Sequence, residues 1–148
     1  MLIDGSNQFS ASQAVTALGS TDLTNIVDLG IARDISDAVT DDLYLLCEVI
    51  AAFTSGGSAT LQVQVATAPD NGSGAPGTWT VLYQSAAIAV ASLVAGLKIL
   101  PGALAGPTAR FVKLTYVVGT ATMTAGTITA ALVPALDVQP YYARGYTA

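Results

Sequence analysis

The chain has no histidine and a single cysteine, Cys47, among its 148 residues. Without an imidazole, neither a Ser-His-Asp nor a Cys-His constellation can be assembled, and the usual nitrogen and sulfur ligand sets for zinc or haem are missing. One cysteine cannot form an internal disulfide, so on an apolar strand face Cys47 reads as a small buried hydrophobe. Charge is scarce too: 10% of residues are Asp, Glu, Lys or Arg, against about 25% in an average soluble protein. Only five of these are cationic, and the net charge is −5, which excludes the Lys/Arg-rich patches that nucleic acids and anionic membranes require. The opening Met1-Leu-Ile-Asp lacks the basic and long apolar regions of a signal peptide. The most apolar window, Ala86 to Leu100, carries Gly96 and Lys98 and falls short of the roughly 20 residues a bilayer helix needs.

What the chain does have is hydrophobic residues, 52% of the total and many of them alanine. With so few charges to cover its exterior, part of the surface is expected to lie against other protein, either copies of itself or a different partner. The stretch Leu43 to Ala68 reads as two β-strands around the turn Ser55-Gly-Gly-Ser58. In the first, Leu43, Leu45, Cys47, Val49, Ala51 and Phe53 fall on one face, and Tyr44, Leu46, Glu48 and Ile50 on the other. In the second, Leu61, Val63 and Val65 oppose Gln62 and Gln64. Further strands are expected at Asn25 to Leu29, closed by Gly30; at Thr78 to Gln84, with Trp79, Val81 and Tyr83 to one side; at Arg110 to Val118, with Val112, Leu114, Tyr116 and Val118 inward; and at Gly126 to Val133, with Ile128, Ala130 and Leu132 inward. Ile88 to Ala95 fits either a helical turn or an edge strand, broken by Gly96, and Pro69 to Gly77 is an exposed loop dense in turn formers.

Seven or eight short strands with little helix predict an all-β fold, an antiparallel β-sandwich or jelly roll, in one domain. The boundaries expected are an N-terminal arm over 1–20, with a helical turn around Ser12 to Thr16, a sandwich over 21–134 and a C-terminal arm over 135–148. The arms carry the candidate contact residues: Met1, Leu2, Ile3 and Phe9 at one end, and Tyr141, Tyr142, Arg144 and Tyr146 at the other. Tyr and Arg bury much area while keeping a polar handle, as interface anchors do. Residues Met1 to Ser10 and Tyr141 to Tyr146 fall outside the strand pattern, so their removal is expected to cost the fold little.

Seven of the ten acids lie between Asp22 and Glu48. Asp34, Asp37, Asp41 and Asp42 lack the spacing and central glycine of an EF-hand loop, and they read as a solvated acidic loop rather than a calcium site. Glu48 and Asp28 are the acids on expected strands, with no recognisable glycosidase context. Neither Gly56-Gly57 nor Gly72-Ser-Gly74 is followed by the Gly-Lys-Ser/Thr of a phosphate loop. No catalytic residue, cofactor or metal site is expected, and the protein reads as a non-enzyme.

Several stretches together resemble a known family. They are MLID with Gln8-Phe-Ser10, Gln13-Ala-Val-Thr16, NIVDLG from Asn25, LYLLCEV from Leu43, FTSGGSATLQVQ from Phe53, RFVKLTY from Arg110, and the closing AALVPALDVQPYYARGY. The chain resembles the capsid cement (decoration) proteins of tailed bacteriophages, in particular the jelly-roll type of short-tailed Bordetella phages. The resemblance implies a structural virion protein, assembled in the bacterial cytoplasm, that sits on the outer surface of an icosahedral capsid. There it would bridge adjacent capsomers of an HK97-like major capsid protein and self-associate as a symmetric dimer or trimer. The alternative is a carbohydrate- or host-binding β-sandwich that uses exposed aromatics such as Trp79 and Tyr83.

Overall fold

The computed structural model describes residues 5–23, 25–31, 33–34, 43–100, 102–103 and 107–134. They form twelve strands and no α-helix: β1 (Gln8–Ala14), β2 (Gly19–Asp22), β3 (Val27–Asp28), β4 (Arg33–Asp34), β5 (Leu43–Thr54), β6 (Thr60–Ala68), β7 (Thr80–Gln84), β8 (Ile88–Ala89), β9 (Gly102–Ala103), β10 (Pro107–Thr108), β11 (Phe111–Gly119) and β12 (Ala125–Pro134). One sheet runs β1-β12-β5-β9 and the other β2-β11-β6-β7, every pairing being antiparallel. β3 continues the β2 edge along β11, and β8 continues the β7 edge along β6; β4 and β10 form a separate ribbon. When that ribbon is set aside and β2/β3 and β7/β8 are each taken as one interrupted strand, eight strands remain, in the orders 1-8-3-6 and 2-7-4-5. This is the jelly-roll arrangement of two interleaved Greek keys.

Alternation explains why these segments pair face to face. β5 sends in Leu45, Cys47, Val49 and Phe53, β6 Leu61, Val63 and Val65, β11 Val112, Leu114, Tyr116 and Val118, and β12 Ile128, Ala130 and Leu132, all into one buried cluster. Each is a β-branched, aliphatic or aromatic residue, or a small filler, at a spacing of two. β5 is covered on its other side as well: Leu46 packs with Ala131 and Val133 in a second, smaller cluster. The turn after β5 does not return as a hairpin partner. It crosses between the sheets, because β5 pairs with β12 while β6 pairs with β11.

Bulges move particular side chains off the simple alternation. Ala51, expected inside, is exposed, because the register on β12 slips between Val49↔Ile128 and Ala51↔Thr127. The extra residue, Ile50, turns the strand by half a pleat. A second slip before Thr54↔Ala125 turns it back, and Phe53 faces the core again. Phe53 then lies against the backbone of Gly126, whose φ is +135° and where a Cβ would fall 2.2 Å from the Phe53 ring. Only glycine fits that crossing.

The N-terminal arm also differs from expectation. Gln8–Ala14 is a strand on β12, not an arm with a helical turn, and two register slips with Ser12 at φ +48° hide its periodicity. Asn25 closes its outer edge, donating from its backbone N–H to Phe9 O at 3.1 Å and from Nδ2 to Gln8 O at 3.2 Å. Phe9 and Ser10 are fully buried, so cutting through Ser10 would remove part of the core. The ambiguous Ile88 segment is both things in turn: the short strand β8, followed by a 3-10 turn over Val90–Ser92.

The centre of the core contains one polar chain. Tyr116, the largest wholly buried side chain among the described residues, shares a 3.2 Å hydrogen bond with Ser10 Oγ, which in turn reaches Ile128 O at 3.4 Å. The Cys47 thiol also hydrogen-bonds Tyr116, and burial pushes it up to about 12.

Two outcomes follow. Phe9→Ala should destabilise the domain by about 3–5 kcal/mol, the usual cost of emptying a buried aromatic site, as read from urea denaturation midpoints. A thiol reagent should label Cys47 only at the rate of unfolding, because the side chain is inaccessible and its thiolate disfavoured; rapid labelling of native protein would contradict this packing.

Candidate functional site

With the apolar residues of β11 pointing in, Phe111, Lys113 and Thr115 belong to the outer face of the six-stranded sheet. Its register sets their neighbours: Lys113 lies beside Ala66, which lies beside Val81, and Thr115 lies between Asp22 and Gln64. Gln64 continues the row to Gln84, its Nε2 donating to Gln84 Oε1 at 2.9 Å. Only 16% of the Lys113 side chain is exposed. Its ammonium donates to Asp22 Oδ2 at 2.8 Å and stands 4.8 Å from the centre of the Trp79 ring. Thr115 Oγ1 donates to the other Asp22 oxygen at 2.8 Å. The Lys113 hydrogen bond is the main reason that the Asp22 carboxyl lies below its ordinary range, with partial burial opposing it.

A second charged group sits at the end of the same face. Arg110, just before β11, forms a fork with Asp28 of β3: Nε to Oδ1 at 2.9 Å and Nη2 to Oδ2 at 2.8 Å. Its remaining nitrogen, Nη1, donates to Asp70, and the guanidinium carbon stands 4.9 Å from the Phe111 ring centre. Both acids also organise their own turns. Asp28 Oδ1 accepts from Gly30 N at 2.8 Å, and Asp70 Oδ1 from Gly72 N at 2.7 Å and Gly74 N at 2.9 Å. Arg110 first, then the Gly30 amide, hold Asp28 down at about 2. Asp70 is lowered mainly by the Gly74 and Gly72 amides, with Arg110 adding to them. Arg110 thus ties three distant pieces of chain into one plate with the planar, two-pronged geometry that only guanidinium offers.

Chemically this plate is suited to contact. Each of its carboxylates is engaged by a cation and by backbone or hydroxyl donors, which fixes its direction. Among the described residues, no three of His, Cys, Asp and Glu come together as a metal ion would require. Of the expected contact residues, Phe9 lies in the domain's own core and is not exposed for adhesion. Met1, Leu2, Ile3, Tyr141, Tyr142, Arg144 and Tyr146 lie outside the described residues, as do Asp37, Asp41 and Asp42 of the acidic loop. The aromatic side expected from Thr78 to Gln84 is split by a bulge at Leu82: Val81 faces out, half exposed, while Tyr83 packs against the core. Burial there raises the Tyr83 phenol to about 12.

The Asp28–Arg110 fork sets an acid dependence. Because the Asp28 carboxyl is held at about 2 rather than its ordinary 3.8, its stabilising effect is complete above the ordinary carboxylate range and disappears as pH falls through the lower value. Asp28→Asn should therefore melt below the native protein at neutral pH, and the two Tm curves should converge as pH approaches about 2. A gap that stays constant with pH would assign the loss to something other than this pair.

No curated protein matches the chain. A model of the Bbp16 family matches residues 9–132, from Phe9 in β1 to Leu132 in β12, and so takes in both sheets of the sandwich. On that match across most of its length, the chain belongs to the Bbp16 family, a phage-related family.

Proposed function

We propose that this protein is a non-enzymatic structural component of a phage virion that binds the outer surface of the icosahedral capsid and cements neighbouring capsomers of an HK97-like major capsid protein. The observation that carries this reading is membership of a phage-related family across the whole jelly roll. Three further features support it. The core is built for rigidity, with a polar centre whose groups are all partnered. The outer sheet face carries charges fixed by ion pairs, with the Phe111 and Trp79 rings beside the two cations. The chain is also too poor in charge to cover its surface unaided, which suits a protein that works in contact with others, including symmetric copies of itself. Repetition over a capsid would multiply modest contacts, since each bound copy raises the effective concentration of the next.

A glycan-binding role is less well supported by the described surface. Tyr83 is turned inward and Trp79 is half-buried beneath Lys113, so the two aromatics do not form a shared stacking platform.

The test is occupancy on undecorated, expanded capsids. Replacing Tyr141, Tyr142, Arg144 and Tyr146 together by alanine should reduce occupancy by at least about thirtyfold in affinity, the equivalent of one interface anchor of about 2 kcal/mol, while the free protein keeps its Tm. Unchanged occupancy would exclude this tail as the adhesive element. Failure of the native protein to bind any such capsid, together with glycan binding, would favour the host-recognition reading.

A further inference from the structure

The loop Pro69 to Gly77 is more ordered than its composition suggests. Gly77 N donates to Pro69 O at 2.8 Å and Asn71 N to Ala75 O at 2.9 Å, and Asp70 bridges to Pro76, so the loop closes on itself. All residues from Asp70 to Ala75 are nevertheless exposed. Within it, two neighbouring groups are polarised in opposite senses. The Gly72 amide N–H points at the Asp70 carboxylate, 2.7 Å from Oδ1. The Asn71 side-chain carbonyl oxygen accepts from Ser73 N at 2.9 Å, Ser73 Oγ at 2.7 Å and Ala75 N at 3.4 Å. A carboxylate on the amide hydrogen enriches the nitrogen and offers its proton a destination. Three donors on the carbonyl oxygen draw electrons from its carbon and are in place to receive the negative charge that forms there under attack. Gly72 has no side chain to obstruct closure, and its φ is +90°.

We propose that Asn71 and Gly72 form a self-modifying site, at which the folded loop promotes conversion of Asn71 to aspartate or isoaspartate. The Gly72 nitrogen bonds to Asn71 Cγ as its proton passes to Asp70. That proton is delivered to the side-chain nitrogen, the Cγ–N bond breaks, and ammonia leaves into solvent from a five-membered succinimide. Water then opens the ring. Addition at Cγ yields aspartate, and addition at the main-chain carbonyl yields isoaspartate, which places an extra methylene in the backbone. Nothing is oxidised or reduced, and the sum is one water consumed for one ammonia released. Asp70 is the base of this reaction, and Arg110, bound to its other oxygen, keeps it aimed. The product adds a negative charge beside Asp70, and the isoaspartate form lengthens the chain inside the ring closed by Asn71 N and Ala75 O.

The experiment follows the full-length protein at neutral pH by tandem mass spectrometry of the fragment containing residue 71, native and in urea. The native loop should convert at least as fast as the unfolded chain. Asp70→Asn, which keeps an acceptor for Gly72 N but removes the charge, should slow conversion at position 71 several-fold, and Asn71→Ser should abolish the mass gain. A native protein that keeps its amide while the unfolded chain loses it would show that the loop protects Asn71 and would overturn the proposal. So would a wild-type rate in Asp70→Asn.

Discussion

A phenol in the middle of an apolar sandwich must find partners or destabilise it by a few kcal/mol, and Tyr116 finds them across the gap between the sheets. Its ring stands on β11 of the six-stranded sheet, while Ser10 belongs to β1 and Cys47 to β5 of the other. Apolar contact is less directional than a hydrogen bond. A hydrogen-bonded chain from Tyr116 to Ser10 to Ile128 O is satisfied in one alignment only. The inward rows of β5, β6, β11 and β12 then interleave around that fixed point, and the outer faces inherit their positions from it.

How much of this was legible in the sequence depended on whether a strand kept its period. β6, β11 and β12 do so over their inward residues, and every inward side chain expected of them is in the core. β5, β7 and β1 do not. A bulge adds one residue without any compositional mark, so Ala51 emerges, Val81 and Tyr83 separate, and Gln8–Ala14 gives no recognisable alternation. Placing Phe9 in an adhesive arm came from this loss of period, since an isolated aromatic among Ser, Gln and Ala reads as peripheral until its strand is found. The crossing of β5 to β6 between sheets was equally hidden, because Ser-Gly-Gly-Ser suits a tight hairpin as well as it suits a bridge.

The charged plate on the outer face was missed for another reason. Arg110 and Lys113 are two of only five cations, and their partners Asp22, Asp28 and Asp70 are scattered through the first half of the chain. Sequence separation conceals such a group until the register of β11 against β2, β3 and β6 is known. Scarcity was the available signal: in a chain with so few cations, two only three positions apart on a strand are worth locating. Exposed pairs of this sort add little to stability, but a forked guanidinium fixes the direction of three chain segments at once, which is useful to a surface that must present one shape to a partner.

The pairing of β1 with β12 has a consequence for biosynthesis. Among the described residues, the first strand finds its sheet neighbour only in the last, and β5, near the middle, also waits for β12 as its long neighbour. Contacts so distant along the chain must pay loop-closure entropy before they return any stabilisation. The four-stranded sheet therefore cannot close while the ribosome still holds its final strand. Until β12 has emerged, β5 lacks its main sheet neighbour and β1 has nothing to pair with in that sheet.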